Sequence, residues 1–176
     1  MKNIVLGITG SIAAYKAADL VNTLTKKGYN VDVIMTKNST EFITPLTIET
    51  LSKNQVHTDS FIRTGDFDVD HIGLAKKADI FIIAPASANI IGKIASGIAD
   101  DLLSTTVMAV RDKPIVICPA MNTNMYENPI VQENISKLSD LGYLFIEPRE
   151  SVLACGDIGK GALADLDTII DFIESL

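Results

Sequence analysis

The segment NIVLGITGSIAAYKAADLVNTLTKKGYNVDVIM, residues 3–35, decides the fold class of this 176-residue chain. It opens with an apolar run at residues 3–8 and continues through a turn of small residues. A helical pattern follows, whose apolar face is formed by Ala17, Leu20, Val21 and Leu24. Gly28 ends this helix, and residues 31–35 form a second apolar run. A strand, a helix and a strand in this order predict a βαβ unit with parallel strands.

The same alternation continues along the rest of the chain. Apolar runs at 80–84 and 115–118, each followed at once by a proline, predict strands buried on both faces, and 143–146 is predicted as the last strand. Helical patterns lie at 88–96, 101–111, 128–142 and 169–176. The stretch 37–70 is less regular. We therefore predict one α/β domain, residues 1–176, with an open parallel sheet and helices on both faces, as in Rossmann and flavodoxin-like three-layer sandwiches.

Composition excludes several classes of protein. The net charge is −7 with no basic stripe, which argues against a nucleic-acid partner. The apolar runs are far shorter than the roughly 18 residues that a membrane span needs, and the N-terminus lacks a cleavable signal pattern. Cys118 and Cys155 are too few for a disulfide framework and suit a reducing compartment. We predict a cytoplasmic protein without a membrane segment and, since no metal-ligand spacing is present, without a metal.

The turns that follow the first strands carry small and polar residues. The first, residues 7–12, places Gly10 and Ser11 where a helix N-terminus offers N–H groups to an anion. Its spacing matches neither the dinucleotide fingerprint nor the Walker loop, which leaves a plain tight turn as the alternative. Hydroxyls and amides recur at 36–39 and 85–89. Each is an ordinary helix cap when taken alone, but together at one sheet edge they predict a site for a phosphorylated cofactor.

Three further residues are candidates for chemistry. His71 carries an imidazole, a side chain that often serves as a general acid or base, although by position it is more often a cap or surface residue. Asn122 follows the strand at 115–118 and could donate to a carboxylate, or simply belong to a turn. Cys155 lies in a glycine-dense loop, which we interpret as mobile, whereas Cys118 is most simply a small core residue.

These residues, taken in order, resemble one family, the flavin-containing cysteine decarboxylases. The matching motifs span nearly the whole chain: residues 10–16, 70–72, 84–89, 119–122 with Met125, and 154–156. Several independent motifs in the right order are far more specific than any single one.

The resemblance implies a set of site residues and a chemistry. It implies that FMN is held by Gly10, Ser11, Ile12, Thr36, Ser39, Ser87, Ala88, Asn89, Ile90 and Ala120. It implies catalytic roles for His71 and Cys155, the latter as proton donor in a flap that closes over the substrate, and substrate contacts from Asn122, Met125 and Ala154. FMN would take a hydride equivalent from the substrate's cysteine, ease the loss of CO₂, and return the hydride to the resulting enethiol.

The implied substrate is 4′-phospho-N-pantothenoylcysteine of coenzyme A synthesis, with a peptide C-terminal cysteine as the open alternative. The implied assembly is a homo-oligomer, a trimer or an assembly of trimers, in which a neighbouring subunit completes the site. A ligase domain that is sometimes fused to this decarboxylase is expected to be a separate protein.

One departure from the family pattern concerns the flap. The family usually continues Gly-x-Gly-Arg-Met, whereas residues 159–163 here read GKGAL, without an arginine after the last glycine. The predicted contacts of the flap and the predicted substrate are therefore less well supported than the predicted FMN site. The competing interpretations are a flavin prenyltransferase of the same fold, a non-catalytic regulatory relative and an NAD-dependent oxidoreductase. The last is the least favoured, because the sequence lacks the glycine fingerprint of that class.

Overall fold

The structure, a computed structural model, describes residues 2–61, 70–152, 156 and 158–176. The strands are β1 (Asn3–Ile8), β2 (Asn30–Met35), β3 (Val56–His57), β4 (Ile80–Ala86), β5 (Ile115–Pro119), β6 (Leu144–Phe145), β7 (Arg149–Val152) and β8 (Ile158–Ala162). The helices are α1 (Ala14–Lys26), α2 (Pro45–Ser52), α3 (Asp70–Lys77), α4 (Ala88–Ser96), α5 (Leu102–Ala109), α6 (Thr123–Tyr126), α7 (Pro129–Asp140) and α8 (Leu166–Glu174).

Six strands form one parallel sheet in the order β3-β2-β1-β4-β5-β6. The predicted opening βαβ unit is confirmed, since β1 pairs in parallel with β2 from Asn3 opposite Asn30 to Ile8 opposite Met35. The chain first adds β2 and β3 on one side of β1, and then adds β4, β5 and β6 on the other side. A crevice opens where the strand order reverses, outside the carboxyl ends of β1 and β4, and such crevices bind ligands in open α/β sheets.

Alternation along the buried strands divides the core into two layers. Ile4, Leu6 and Ile8 of β1 pack with α1, α2 and α8 on one face of the sheet. Val5 and Phe81 face the other way and pack with α3, α4, α5 and α7. Because the β1 side chains on both faces are fully buried, the strand reads as a continuous apolar run. The predicted three-layer arrangement is confirmed.

Side-chain caps set the start of the helices that surround the crevice. Ser87 accepts a hydrogen bond from the Ile90 N–H at the start of α4. Asp101 and Ser104 form a reciprocal capping box on α5. Asn128 caps α7, whose first residue is Pro129, as its sequence predicts. These caps fix where α4, α5 and α7 begin.

Four of the expectations for local structure are wrong. The stretch 37–70 holds a 3₁₀ turn at Ser39–Glu41, the helix α2 and the edge strand β3. Pro85 does not end β4, which continues to Ala86 with an irregular register after Ile83. The segment 143–146 is not the last strand, because β7 and β8 follow it as a separate antiparallel pair. Leu176 lies outside the final helix and is exposed.

Candidate functional site

A cavity of about 550 Å³ lies at the carboxyl edge of the sheet, beyond β1, β4 and β5. This volume falls in the range of small-molecule sites. Predicted site residues that line it are Gly10, Ser11, Ile12, Ser87, Ala88, Ala120, Asn122 and Met125. Lining residues that sequence reasoning did not assign are Ala13, Tyr15, Lys16, Phe42, Met121, Arg149, Ser151, Gly161, Ala162 and Leu163. The polar turns after β1 and β4 and the turn after β5 therefore converge on one space, whereas the polar residues 36–39 after β2 do not line it.

The turns after β1 and β4 form what we call the crevice floor, comprising Thr9, Gly10 and Ser87. The Thr9 hydroxyl donates to the Pro85 carbonyl at 2.7 Å and accepts from the Ser87 N–H at 2.9 Å. Thr9 is buried, so this hydroxyl joins two neighbouring strand ends inside the protein. Sequence reasoning missed Thr9 although it lies within the small-residue turn, because a buried bridging hydroxyl looks like any other turn residue.

Gly10 allows the turn after β2 to approach the crevice floor. A Cβ on Gly10 would lie 2.6 Å from the Asn38 Cβ and 3.3 Å from the Asn38 carbonyl carbon. Real Cβ atoms do not approach this closely, so a larger residue at position 10 would push the two turns apart. The glycine is needed here for close packing.

The start of α1 presents donors that suit an anion. The Ala13 N–H donates to the Ser11 hydroxyl at 3.3 Å and the Ala14 N–H to the Ser11 carbonyl. Among the described residues, the N–H groups of Gly10, Ser11 and Ile12 have no hydrogen-bond acceptor. Unpaired N–H groups at a helix N-terminus bind phosphate well. The residues present therefore fit the phosphate of FMN.

The opposite wall of the cavity combines the turn after β5 with the antiparallel pair β7 and β8, which we call the hairpin. The Met121 N–H donates to the Gly161 carbonyl at 2.9 Å. A Cβ on Gly161 would collide with the Met121 carbonyl oxygen, and one on Gly159 would lie 2.5 Å from the Thr123 hydroxyl. Two glycines that we interpreted as a mobile loop thus belong to a strand and serve close packing.

Asn122 stands at the start of α6, where its side-chain oxygen accepts from the Asn124 N–H at 2.8 Å. This bond orients the side-chain amide, which lies on the cavity wall. A side-chain amide carries donors as well as an acceptor, so a residue of this type at the cavity wall suits a polar ligand.

The described cavity lining is positively charged, although the chain carries a net charge of −7. Lys16 and Arg149 supply the positive charges, and no aspartate or glutamate is among the described lining residues. Lys160 of β8 does not line the cavity and instead pairs with Glu147, its ammonium lying 5.9 Å from the centre of the Tyr126 ring. Such a lining favours ligands with negative charge.

Large apolar side chains are exposed at the same cavity. Ile12, Tyr15 and Phe42 are 61%, 57% and 48% exposed, and all three line the space. Apolar and aromatic walls with a few placed polar groups are typical of cofactor sites, because a flat ring system gains its binding energy from buried apolar area. The lining therefore suits a planar ring with a phosphate tail.

Four residues assigned to FMN by resemblance do not line the cavity. The Ser39 hydroxyl is buried and donates to the Thr36 carbonyl at 2.7 Å, which shapes the turn after β2. Ile90 is buried in the core, and Asn89 is exposed at the start of α4. Within one chain, Thr36, Ser39, Asn89 and Ile90 stand behind or beside the lining residues.

The proposed catalytic residues fall outside the described lining. His71 is partly exposed near the start of α3, a helix that leads into the amino end of β4. The start of α3 is therefore at the carboxyl edge, as the cavity is, but His71 is not among the described lining residues. Ala154 and Cys155 lie outside the described residues. Cys118 is fully buried, which raises the pKa of its thiol to about 12.

The fold and this crevice define an α/β protein of the flavin- or nucleotide-binding class. The sequence matches the Flavoprotein family over residues 1–176. The chain therefore belongs to that family. Among the described residues, no helix is long and apolar enough to cross a membrane.

Relatives and solved structures agree with this family. A probable phosphopantothenoylcysteine decarboxylase of Streptococcus mutans is 53% identical, with 98% of this chain and 97% of that protein covered. The coenzyme A biosynthesis bifunctional protein CoaBC of Bacillus subtilis is 47% identical over 98% of this chain, which spans only 42% of that longer protein.

Two solved structures are also similar. A mutant PPC decarboxylase complexed with pantothenoylaminoethenethiol superposes with a TM-score of 0.87 at 35% identity, covering 98% of this chain and 96% of that one. The FMN-dependent cysteine decarboxylase SpaF superposes with a TM-score of 0.84 at 31% identity, covering 98% and 94%.

Proposed function

We propose that this chain is an FMN-dependent decarboxylase that converts 4′-phospho-N-pantothenoylcysteine to 4′-phosphopantetheine in coenzyme A biosynthesis. The observation that carries the proposal is the cavity at the β1–β4 switch point, with helix N-terminal donors on one side and the Asn122 amide on the other. The names of the most similar relatives agree with this chemistry and do not favour a prenyltransferase or a regulatory protein.

Bound FMN supplies a reversible hydride acceptor, which makes the substrate's cysteine carbon prone to lose CO₂. The N–H groups of Gly10, Ser11 and Ile12 hold its phosphate, with Ser87 and Ala88 beside them at the start of α4 and Ala120 across the cavity. Thr36, Ser39, Asn89 and Ile90 shape these turns. We treat residues 1–176 as one FMN-binding unit.

The protein's own groups orient the substrate and move protons. Asn122 binds the substrate's carboxylate through its NH₂ group, with Met125 and Ala154 beside the cysteine end. His71 exchanges a proton with the substrate, and the thiol of Cys155 protonates the enethiol product. A thiol gives up a proton near neutral pH far more readily than a serine hydroxyl does. These roles come from the resemblance: of the described members of this group, Asn122 and Met125 line the cavity and His71 does not.

A homo-oligomer, a trimer or an assembly of trimers, is part of the proposal. The exposed apolar side chains at the cavity, Ile12, Tyr15 and Phe42, are the kind of surface that a second copy covers. A neighbouring subunit would also account for the separation of His71 from the cavity within one chain. Light scattering on the purified holoprotein measures the assembly. A cytoplasmic location remains a prediction.

The function is tested by purifying the protein, recording its flavin absorbance, and measuring CO₂ release from 4′-phospho-N-pantothenoylcysteine and from a peptide with a C-terminal cysteine. We expect bound FMN and release from the first substrate. His71→Asn should keep FMN and lose CO₂ release. Cys155→Ser should release CO₂ once and then stall with its flavin reduced, leaving an enethiol two hydrogens lighter than the normal product. A folded protein that neither carries nor takes up FMN would contradict the proposal.

A further inference from the structure

Arg149 opens β7 and lines the cavity, yet sequence reasoning attached no role to it. The register of the hairpin places Arg149 directly opposite Ala162 of β8. Ala162 is the position at which the family pattern has the flap arginine, and it also lines the cavity. A guanidinium missing from one strand is thus present on its cross-strand neighbour.

The contacts of the Arg149 side chain are made through its Nε atom. Its Nε donates to the Leu163 carbonyl at 3.3 Å and lies 3.2 Å from a carboxylate oxygen of Asp165. Among the described residues, no hydrogen bond engages its two terminal amino groups. The Asp165 side chain is 70% exposed, so this ion pair is screened by water and does not cancel the positive charge. A guanidinium anchored at Nε presents two parallel donors, the geometry that binds phosphate through two hydrogen bonds.

The other cations near the cavity have different positions. Lys16 belongs to α1, near the N–H groups proposed for the phosphate of FMN. Lys160 pairs with Glu147 and does not line the cavity. The substrate of the proposed function carries two anionic groups, a carboxylate assigned to Asn122 and a phosphate monoester at the opposite end. Arg149 is the cationic lining residue of the hairpin that is available to the second group.

We propose that Arg149 binds the phosphate of the substrate and thereby selects phosphorylated over unphosphorylated pantothenoylcysteine. This inference rests on the proposed function and adds a specificity residue to it. A site that binds a charged group discriminates strongly against the analogue lacking it, because its own cation then stays unpaired.

The experiment compares 4′-phospho-N-pantothenoylcysteine with N-pantothenoylcysteine on the FMN-loaded wild-type protein and on Arg149→Met, Arg149→Lys and the control Lys160→Met. We expect Arg149→Met to raise KM for the phosphorylated substrate by about tenfold or more, with kcat and KM for the unphosphorylated substrate nearly unchanged. Arg149→Lys should recover part of the loss, and Lys160→Met should behave like the wild type. Titration calorimetry with 4′-phosphopantetheine and pantetheine should show the same selective loss of affinity.

Other results would overturn the inference in distinguishable ways. Equal loss on both substrates would make Arg149 a structural residue, and loss of flavin absorbance would assign it to the phosphate of FMN. An unchanged preference for the phosphorylated substrate would remove it from recognition. If the wild type released CO₂ from neither substrate, the proposed function itself would fail, and this inference with it.

Discussion

The crevice floor and the hairpin face each other across one cavity, but they are built in opposite ways. The floor joins the ends of two buried parallel strands and is tied by the buried Thr9 hydroxyl. The hairpin is a two-stranded pair outside the main sheet that rests on the turn after β5 through Gly159 and Gly161. The conformation of the floor is thus held by hydrogen bonds between its own strand ends. The position of the hairpin depends instead on its packing against the turn after β5.

The largest expected effect comes from Gly161→Ala, which tests whether the hairpin depends on this contact. The new Cβ would collide with the Met121 backbone carbonyl, so β8 must move away from the cavity. We expect CO₂ release to fall on the order of 100-fold, since a misplacement of about 1 Å is enough for such a loss. Flavin absorbance should persist, because the floor is untouched.

Gly159→Ala is the matched control for this change. Its Cβ would meet side-chain atoms of Thr123, the nearest at 2.5 Å, rather than a backbone atom. The loss should therefore be clearly smaller. Similar losses for both variants would show that the hairpin tolerates no added volume anywhere, and simultaneous loss of FMN would show that floor and hairpin are not independent.

The second prediction applies the same change to the crevice floor. In Gly10→Ala the Cβ would approach the Asn38 Cβ to 2.6 Å, which separates the turns after β1 and β2. We expect FMN affinity to fall by about tenfold or more, equivalent to about 1.4 kcal/mol, as measured by flavin fluorescence titration. Gly92→Ala in α4 is the control, because its nearest atom is 3.9 Å away and alanine favours helix by up to about 1 kcal/mol. Unaltered FMN affinity in Gly10→Ala would contradict the close-packing argument.

The third prediction concerns the bridge within the floor. Thr9→Val keeps the shape of the side chain but leaves the buried Pro85 carbonyl and Ser87 N–H without the hydroxyl that joins them. We expect the free energy of unfolding to fall by about 1 to 3 kcal/mol in urea denaturation. Thr9→Ser retains the hydroxyl and should lose less. Equal stability of Thr9→Val and the wild type would show that the bridge contributes nothing.

The two regions also differ in how far sequence alone predicts them. The floor follows from apolar runs buried on both faces and from small residues at their ends, signals that lie within the segments themselves. The sequences RESV and IGKGA of the hairpin show no alternation of apolar and polar residues. The two strands pair with each other, but the pair is positioned by the contacts of Gly159 with Thr123 and of Gly161 with Met121, which lie more than thirty positions away along the chain. No local pattern in the sequence could show these contacts.

Elsewhere, the sequence contains a start signal for the helix α2, which we did not predict, but no signal for the cavity residues Arg149 and Phe42. Thr44 caps α2 and Pro45 is its first residue, a start signal that the sequence contains. By contrast, Arg149 and Phe42 reach the cavity only through the tertiary fold. The roles of His71 and Cys155 stay predictions, since one lies off the described lining and the other outside the described residues.

The fourth prediction concerns the acid sensitivity of Asp101, which caps α5 and pairs with Lys93 of α4. Burial by itself would raise the pKa of Asp101, but hydrogen bonds from Lys93 and Ser104 outweigh it and hold that pKa below its usual value. A carboxyl with a lowered folded-state pKa stabilises the protein fully above the unfolded-state pKa of about 3.9. This contribution is lost as the pH falls through the lower, folded-state pKa.

Asp101→Asn measures that contribution, because asparagine also caps helices but cannot pair with Lys93. We expect it to lower the free energy of unfolding by about 1 kcal/mol at pH 7. The difference from the wild type should shrink as urea denaturation is repeated at pH values approaching 3. A difference that stayed constant across this range would show that the carboxylate's charge does not matter.

The smallest effect is expected at Lys160, the cation of the hairpin that pairs with Glu147 beside Tyr126. Both charged side chains are substantially exposed, so water and salt weaken their attraction. A double-mutant cycle of Lys160→Met and Glu147→Gln should give a coupling of no more than about 1 kcal/mol, falling further in 1 M NaCl. If glycine packing holds the hairpin, this loss should leave CO₂ release almost unchanged, in contrast to Gly161→Ala. A coupling above about 2 kcal/mol, or a loss of activity that salt reproduces in the wild type, would mean that surface charge holds the hairpin and that its contrast with the floor is one of electrostatics.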